Sequence, residues 1–162
     1  MQALGSQFRP SRLNIFLFDL RQALAFSQYI LDEHLHDLEA ASTNAKLVHL
    51  AFNTALIISY ARPFHGSYEP DGRSRVSLSA DAGVLDIDES AFHAQLLDKR
   101  DGVFAHSDAR SYEIEGFNYD AQTLKFYNYV FDPLTLEETR LLRQMIRKWI
   151  SHVESFRTTT AH

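Results

Sequence analysis

No cysteine occurs among the 162 residues of this chain. Disulfides and thiolate chemistry are therefore excluded, and with them the commonest structural zinc sites. No run of about 18 apolar residues is present, so the sequence predicts no transmembrane helix. The stretch MQALGSQFRPSRLNIF lacks the basic start, apolar block and small-residue cleavage site of a secretory leader. A cytoplasmic chain without membrane contact is the resulting expectation. Positive charge is not in excess: 16 Lys and Arg stand against 21 Asp and Glu. That argues against a broad basic surface that grips nucleic acid by counterion release alone, and leaves room for a small cationic site. A Gly-rich phosphate loop, a GxSxG elbow and a kinase signature are also absent. Histidines are present but poorly spaced for a metal. His34 and His36 lie two apart and point in different directions on a helix, while His49, His93 and His152 are isolated. Neither a metal nor a cofactor is expected.

What the chain does contain is apolar periodicity. Hydrophobic residues make up 45% of it, with 12 Phe and 7 Tyr, enough for one domain over residues 1–162 with an aromatic core. Residues 1–12 are expected to form a loose arm. A helix is predicted from about Leu13 to Ala41, with Leu20, Leu24, Ser27, Leu31, Leu35 and Leu38 on one face, and Phe26, Tyr29 and Ile30 widen its apolar surface enough to touch two neighbours. After the polar break Ser42-Thr43-Asn44, a second helix is predicted over Asn44–Arg62, buried through Leu47, Leu50, Ala51, Thr54, Ile57, Ile58 and Ala61. Pro63 should end it, because the residue before proline is pushed out of the α region. Two long helices joined by a short link should lie antiparallel.

Residues 64–86 are expected to be a long loop, functional or mobile, that carries Arg73 and Arg75. Asp86 or Asp88 should cap a third helix that reaches past Leu96. Residues 109–131 change character. Ser111–Glu115 alternates, Thr123–Phe131 is rich in aromatics, and Gly116–Gln122 between them resembles a turn, so a small β-hairpin is predicted. Thr135 with Glu138 forms a capping-box pattern for a last helix over about Leu136–Arg157. Its apolar face is Leu142, Met145, Ile146, Trp149, Ile150, Val153 and Phe156. Arg140, Arg143, Arg147 and Lys148 make much of the rest basic, most simply a solvated face. The expected fold is mainly all-α, an antiparallel bundle of four or five helices with the hairpin inserted before the last one.

Chemically capable side chains concentrate in Leu96–Asp108, LLDKRDGVFAHSD. Arg100 stays protonated and can hold a phosphate through a planar fork of donors. His106 can exchange a proton near neutral pH. Those are the two functions needed to cleave RNA without a metal, at the 2′-hydroxyl and at the phosphorus-bound oxygens. They lie six positions apart, so on one continuous α-helix they would stand roughly 120° apart. Either the backbone departs from the helix near Gly102, or a second copy of the helix completes the site in a twofold dimer. The alternative reading is a surface arginine and a helix-ending histidine, with Asp101 as a salt-bridge partner of Arg100 or Lys99.

The stretch LDKRDGVFAHSD resembles the signature of the HEPN superfamily of helical nucleotide-binding domains: Arg, four to six residues, then His. A polar residue often follows the Arg, and Asp101 fills that slot where Asn is more familiar. The order of two long helices, a motif helix and a long closing helix is similar to that fold. The resemblance implies a HEPN-like bundle that dimerises through the motif helices. It also implies metal-independent endoribonuclease activity that leaves a 2′,3′-cyclic phosphate, in a toxin–antitoxin or phage-defence setting. Arg100 and His106 would then be catalytic, with Asp101 positioning. Implied partners are RNA, a second copy of the chain and a nucleotidyltransferase-type antitoxin. The alternative is a non-catalytic HEPN-like nucleotide-binding or protein-interaction module. Arg62, Arg73 and Arg75 are the candidates for further contacts to RNA phosphates.

Overall fold

A computed structural model describes residues 10–40, 43–68, 75–80, 82–101, 112–119, 122–129 and 133–159. The architecture is mainly helical. Helix α1 spans Pro10–Asp32 and is followed by a 3-10 helix, Leu35–Ala40. Helix α2 spans Thr43–His65, α3 spans Ile87–Lys99 and α4 spans Leu136–Thr159. Two short strands, β1 (Ser67–Tyr68) and β2 (Arg75–Val76), pair antiparallel between α2 and α3. Strands β3 (Tyr112–Tyr119) and β4 (Gln122–Tyr129) pair antiparallel between α3 and α4.

The first helix departs from the expected bounds at both ends. It begins at Pro10, whose missing N–H is no loss at the first helical position. Arg12, expected in a loose arm, is buried. At the other end the α path stops at Asp32 instead of running on to Ala41. His34 takes a φ of +50°, and the chain re-enters as the tighter 3-10 turn, opened by the bond from Asp37 N–H to His34 O. The buried stripe is wider than one row, in keeping with the two neighbours expected for this helix. Leu13, Phe16, Leu17, Leu20, Ala23 and Ile30 are buried, while Leu24 is only half covered. The reason is that α1 packs against both α2 and α4, so two of its faces are covered.

Helix α2 runs three residues past its expected end. Pro63 lies inside its last turn, without an N–H to give to the preceding turn, and the helix nevertheless continues to His65. Termination falls to Gly66, whose φ of +64° is the left-handed conformation that favours glycine after a helix. The Pro63 carbonyl is used from outside: it accepts the Leu78 N–H at 2.8 Å, which draws the returning chain against the helix end. The buried face of α2 is displaced from the expected one. Asn53, Leu56, Ile57 and Tyr60 are buried, whereas Leu47 is 57% exposed.

The caps of the later helices are well formed. Asp86 caps α3 in a reciprocal box: the Glu89 N–H donates to Asp86 Oδ1 at 2.9 Å, and the Asp86 N–H donates to Glu89 Oε2 at 3.0 Å. Thr135 and Glu138 do the same for α4, at 3.2 and 2.7 Å. On α4 the expected face is the observed one. Leu142, Met145, Ile146, Trp149 and Val153 are fully buried, with Ile150 and Phe156 packed beside them. Asn53 ties the start of this helix to α2, since its Oδ1 accepts the buried Leu134 N–H at 3.0 Å. In β3, Gly116–Tyr119 continue the strand where a turn was expected, and the register pairs Tyr119 with Gln122.

Candidate functional site

The candidate site begins where α3 ends. Arg100 follows Lys99 directly, and its backbone N–H reaches both Leu96 O and Leu97 O. Arg100 keeps α-helical angles, φ −59° and ψ −46°, and with Asp101 it enters a π-type turn. Such turns are rare, and they occur frequently at functional sites. The Arg100 side chain is partly covered. Its Nη1 donates to Asp101 Oδ1 at 2.7 Å, the short distance of a charge-assisted bond. The same carboxylate oxygen lies 3.4 Å from His65 Nε2, an ion-pair distance when the imidazole is protonated.

His65 was missed in the sequence because Pro63 was expected to end α2. With the helix continuing through Pro63, His65 stands in the last helical turn and Asp101 comes beside it. Arg100, Asp101 and His65 thus form a contiguous cation–carboxylate–imidazole group, drawn from two helix ends. His106 lies outside the described residues, as do Gly102–Ala105 and Arg73. Arg75 sits in β2 opposite Tyr68. Arg62 turns toward α1: its Nη1 lies 3.4 Å from both Asp19 Oδ1 and Gln22 Oε1. Its hydrogen bonds therefore serve the α1–α2 contact, not Arg100 or Asp101. Burial raises the Asp19 carboxyl above the usual carboxylate range, with Arg62 opposing the shift.

Two sets of contacts hold α3 in place. Near its middle, His93 is buried and its Nδ1 is hydrogen-bonded to the Tyr60 hydroxyl at 2.8 Å. The Phe64 ring stands edge-on to His93 at 4.5 Å and to Trp149 at 4.9 Å, so the cluster joins α2, α3 and α4. Burial lowers the His93 pKa, and the neighbouring His65 lowers it further. Burial likewise raises that of the Tyr60 hydroxyl. Neutral rings are thereby favoured in this cluster. Near the start of α3, Glu89 is 2% exposed in its side chain and both its oxygens lie 2.6 Å from Lys148 Nζ on α4.

Among the described residues no group of three or more metal-ligating side chains forms a cluster, and no helix is long and apolar enough to cross a membrane. Comparisons with protein-family models, with curated proteins and with solved structures find no match.

Proposed function

We propose that the chain is a HEPN-type endoribonuclease that cleaves RNA without a metal. The observation that carries this reading is the meeting of the Arg100 guanidinium, the Asp101 carboxylate and the His65 imidazole where two helices end. The contact from His65 to Asp101 adds a titratable group from a second helix.

On this reading Arg100 holds the scissile phosphate and stabilises the charge that builds on its oxygens. His106 exchanges the protons. The 2′-hydroxyl loses its proton and its oxygen bonds to phosphorus. The bond from phosphorus to the 5′-oxygen breaks, and that oxygen takes up a proton. The products are a 2′,3′-cyclic phosphate and a free 5′-hydroxyl. Asp101 positions the guanidinium, and the incoming phosphate competes with it for the same N–H donors. A twofold dimer through α3 would bring two such sites together. A toxin or phage-defence role, a nucleotidyltransferase-type antitoxin and a cytoplasmic location belong to the same proposal.

The test is cleavage of a defined RNA by purified protein in EDTA, beside Arg100→Ala and His106→Ala variants of matched oligomeric state. Cleavage by the wild type, lost in both variants, with a 2′,3′-cyclic product, supports the reading. A second reading has one observation in its favour, the Arg100 guanidinium already paired with Asp101 at 2.7 Å. It is a non-catalytic HEPN-like nucleotide-binding or protein-interaction module. Equal inertness of wild type and variants over several RNAs selects it.

A further inference from the structure

The basic flank of α4 was expected to be a solvated face. It instead lines a groove of about 720 Å3 between α4 and the segment 82–84 that leads into α3. From Arg140 to His152 the helix reads RLLRQMIRKWISH and contains no acidic residue. Of the three arginines only Arg140 has a carboxylate at a helical neighbour position, Glu137 three residues before it, and the two form no ion pair; Arg143 and Arg147 have none three or four residues away. Arg140 and Arg147 are exposed and make no hydrogen bond or ion pair with another described residue. Arg143 is held in place, its Nη1 donating to Gln28 Oε1 at 2.9 Å. Lys148, also on the groove wall, is balanced by Glu89 and Asp86.

In a chain of net charge −5, Arg140, Arg143 and Arg147 share one concavity, and among the described residues none has a carboxylate within ion-pair distance, although Asp37 lines an adjoining pocket with Arg140 and Arg143. The facing wall is Ala82, Gly83 and Val84, which brings no negative side chain. Gly83 has a φ of +69°, and a Cβ placed there would meet nothing within 4 Å, so this wall is open backbone. Guanidinium forks match phosphate oxygens in plane and in charge. Arg140 and Arg147 are seven residues apart, about 10 Å along the helix axis, a span that an anion of several linked phosphoryl groups can bridge. The groove volume falls within the range of small-ligand sites.

We propose that this groove is a binding site for a small anion carrying two or three linked phosphoryl groups. The site is distinct from Arg100. The groove adjoins the first turn of α3 at Asp86, and Arg100 follows its last turn, about 20 Å further along the axis. It therefore stands or falls separately from the ribonuclease reading.

The probe is inorganic tripolyphosphate, titrated calorimetrically into the full chain at low ionic strength. The comparison proteins are Arg140→Gln/Arg147→Gln, Arg143→Gln and Arg100→Gln, and far-ultraviolet circular dichroism checks that each is folded. Saturable binding at one site is expected, weakened by on the order of tenfold or more in the double variant and unchanged in Arg100→Gln. Absence of saturable binding to the wild type overturns the proposal, as does equal affinity in the double variant. Orthophosphate binding as tightly as tripolyphosphate overturns the linked-phosphoryl assignment. If single-stranded RNA binds and loses affinity in the double variant while tripolyphosphate does not bind, the groove is a strand track and the small-anion site is refuted.

Discussion

Lys148→Met is the substitution whose outcome the packing of α3 on α4 determines most directly. Glu89 is 2% exposed, and both its oxygens lie 2.6 Å from the Lys148 ammonium. Methionine preserves the apolar stem of lysine and removes the charge. The carboxylate then keeps the Asp86 N–H at 3.0 Å and the favourable end of the α3 dipole, but loses its cation. Breaking a buried pair by removing one partner costs about 3–5 kcal/mol. The helix terminus offsets about 1 kcal/mol of that. Because the Lys148 side chain is 36% exposed, water also reaches the gap. A net loss of about 2–3 kcal/mol is expected. In urea, with a slope of about 2–3 kcal/mol per molar, the midpoint should fall by about 1 M near neutral pH. Glu89→Gln in the same chain removes the stranded charge, so the double variant should regain more than half of the loss. A drop below about 0.5 kcal/mol, or two effects that simply add, would refute the assignment of a buried, coupled pair.

Asn53→Ala should cost about 1–3 kcal/mol by leaving the Leu134 N–H buried and without its acceptor; urea unfolding measures it, and an effect near zero would show that water replaces the bond. Asp86→Ala should cost about 1 kcal/mol by opening one half of the α3 capping box, read as a lower melting midpoint. Burial lowers the pKa of His36, His49, His93 and His152. Below the ordinary histidine value of about 6.5, the unfolded chain binds protons that the folded chain refuses. Stability should therefore be full above that pH and be lost as the pH falls through it toward the depressed folded values. Urea midpoints between about pH 8 and pH 5.5 would reveal the slope, and a flat profile contradicts it.

The last helix was legible because each of its signals is local. Thr135 and Glu138 cap it, and Leu142, Met145, Ile146, Trp149 and Val153 recur at helical spacing on a side that meets a single continuous core. The end of α1 was not legible, since nothing about His34 as a residue type announces a positive φ. Pro63 misled because the α region is disfavoured but not closed to the residue before proline, and here the helix carries Pro63 in its last turn. That single error hid His65 from the site. At Arg100, residue types suggested phosphate chemistry, but the π-type turn and the approach of His65 depend on how two helix ends meet. The α4 arginines were assigned to solvent because a groove needs a second wall, and segment 82–84 supplies it only after folding.

Glu89 serves two structures with one carboxylate. Its Oε2 accepts the Asp86 N–H that closes the first turn of α3, and the same group carries the tie to Lys148 on α4. If α3 lifts from α4, Glu89 gains water but the geometry that aligned it as a cap goes with the lysine. Fraying of the helix start and detachment of the helix are therefore one event with one free energy. In hydrogen exchange, the first amides after the cap should share their protection with those nearer Leu96, as a single opening unit. The helix that delivers Arg100 would then be either seated along its whole length or released as a whole, so any chemistry at its far end inherits an on–off dependence from its beginning.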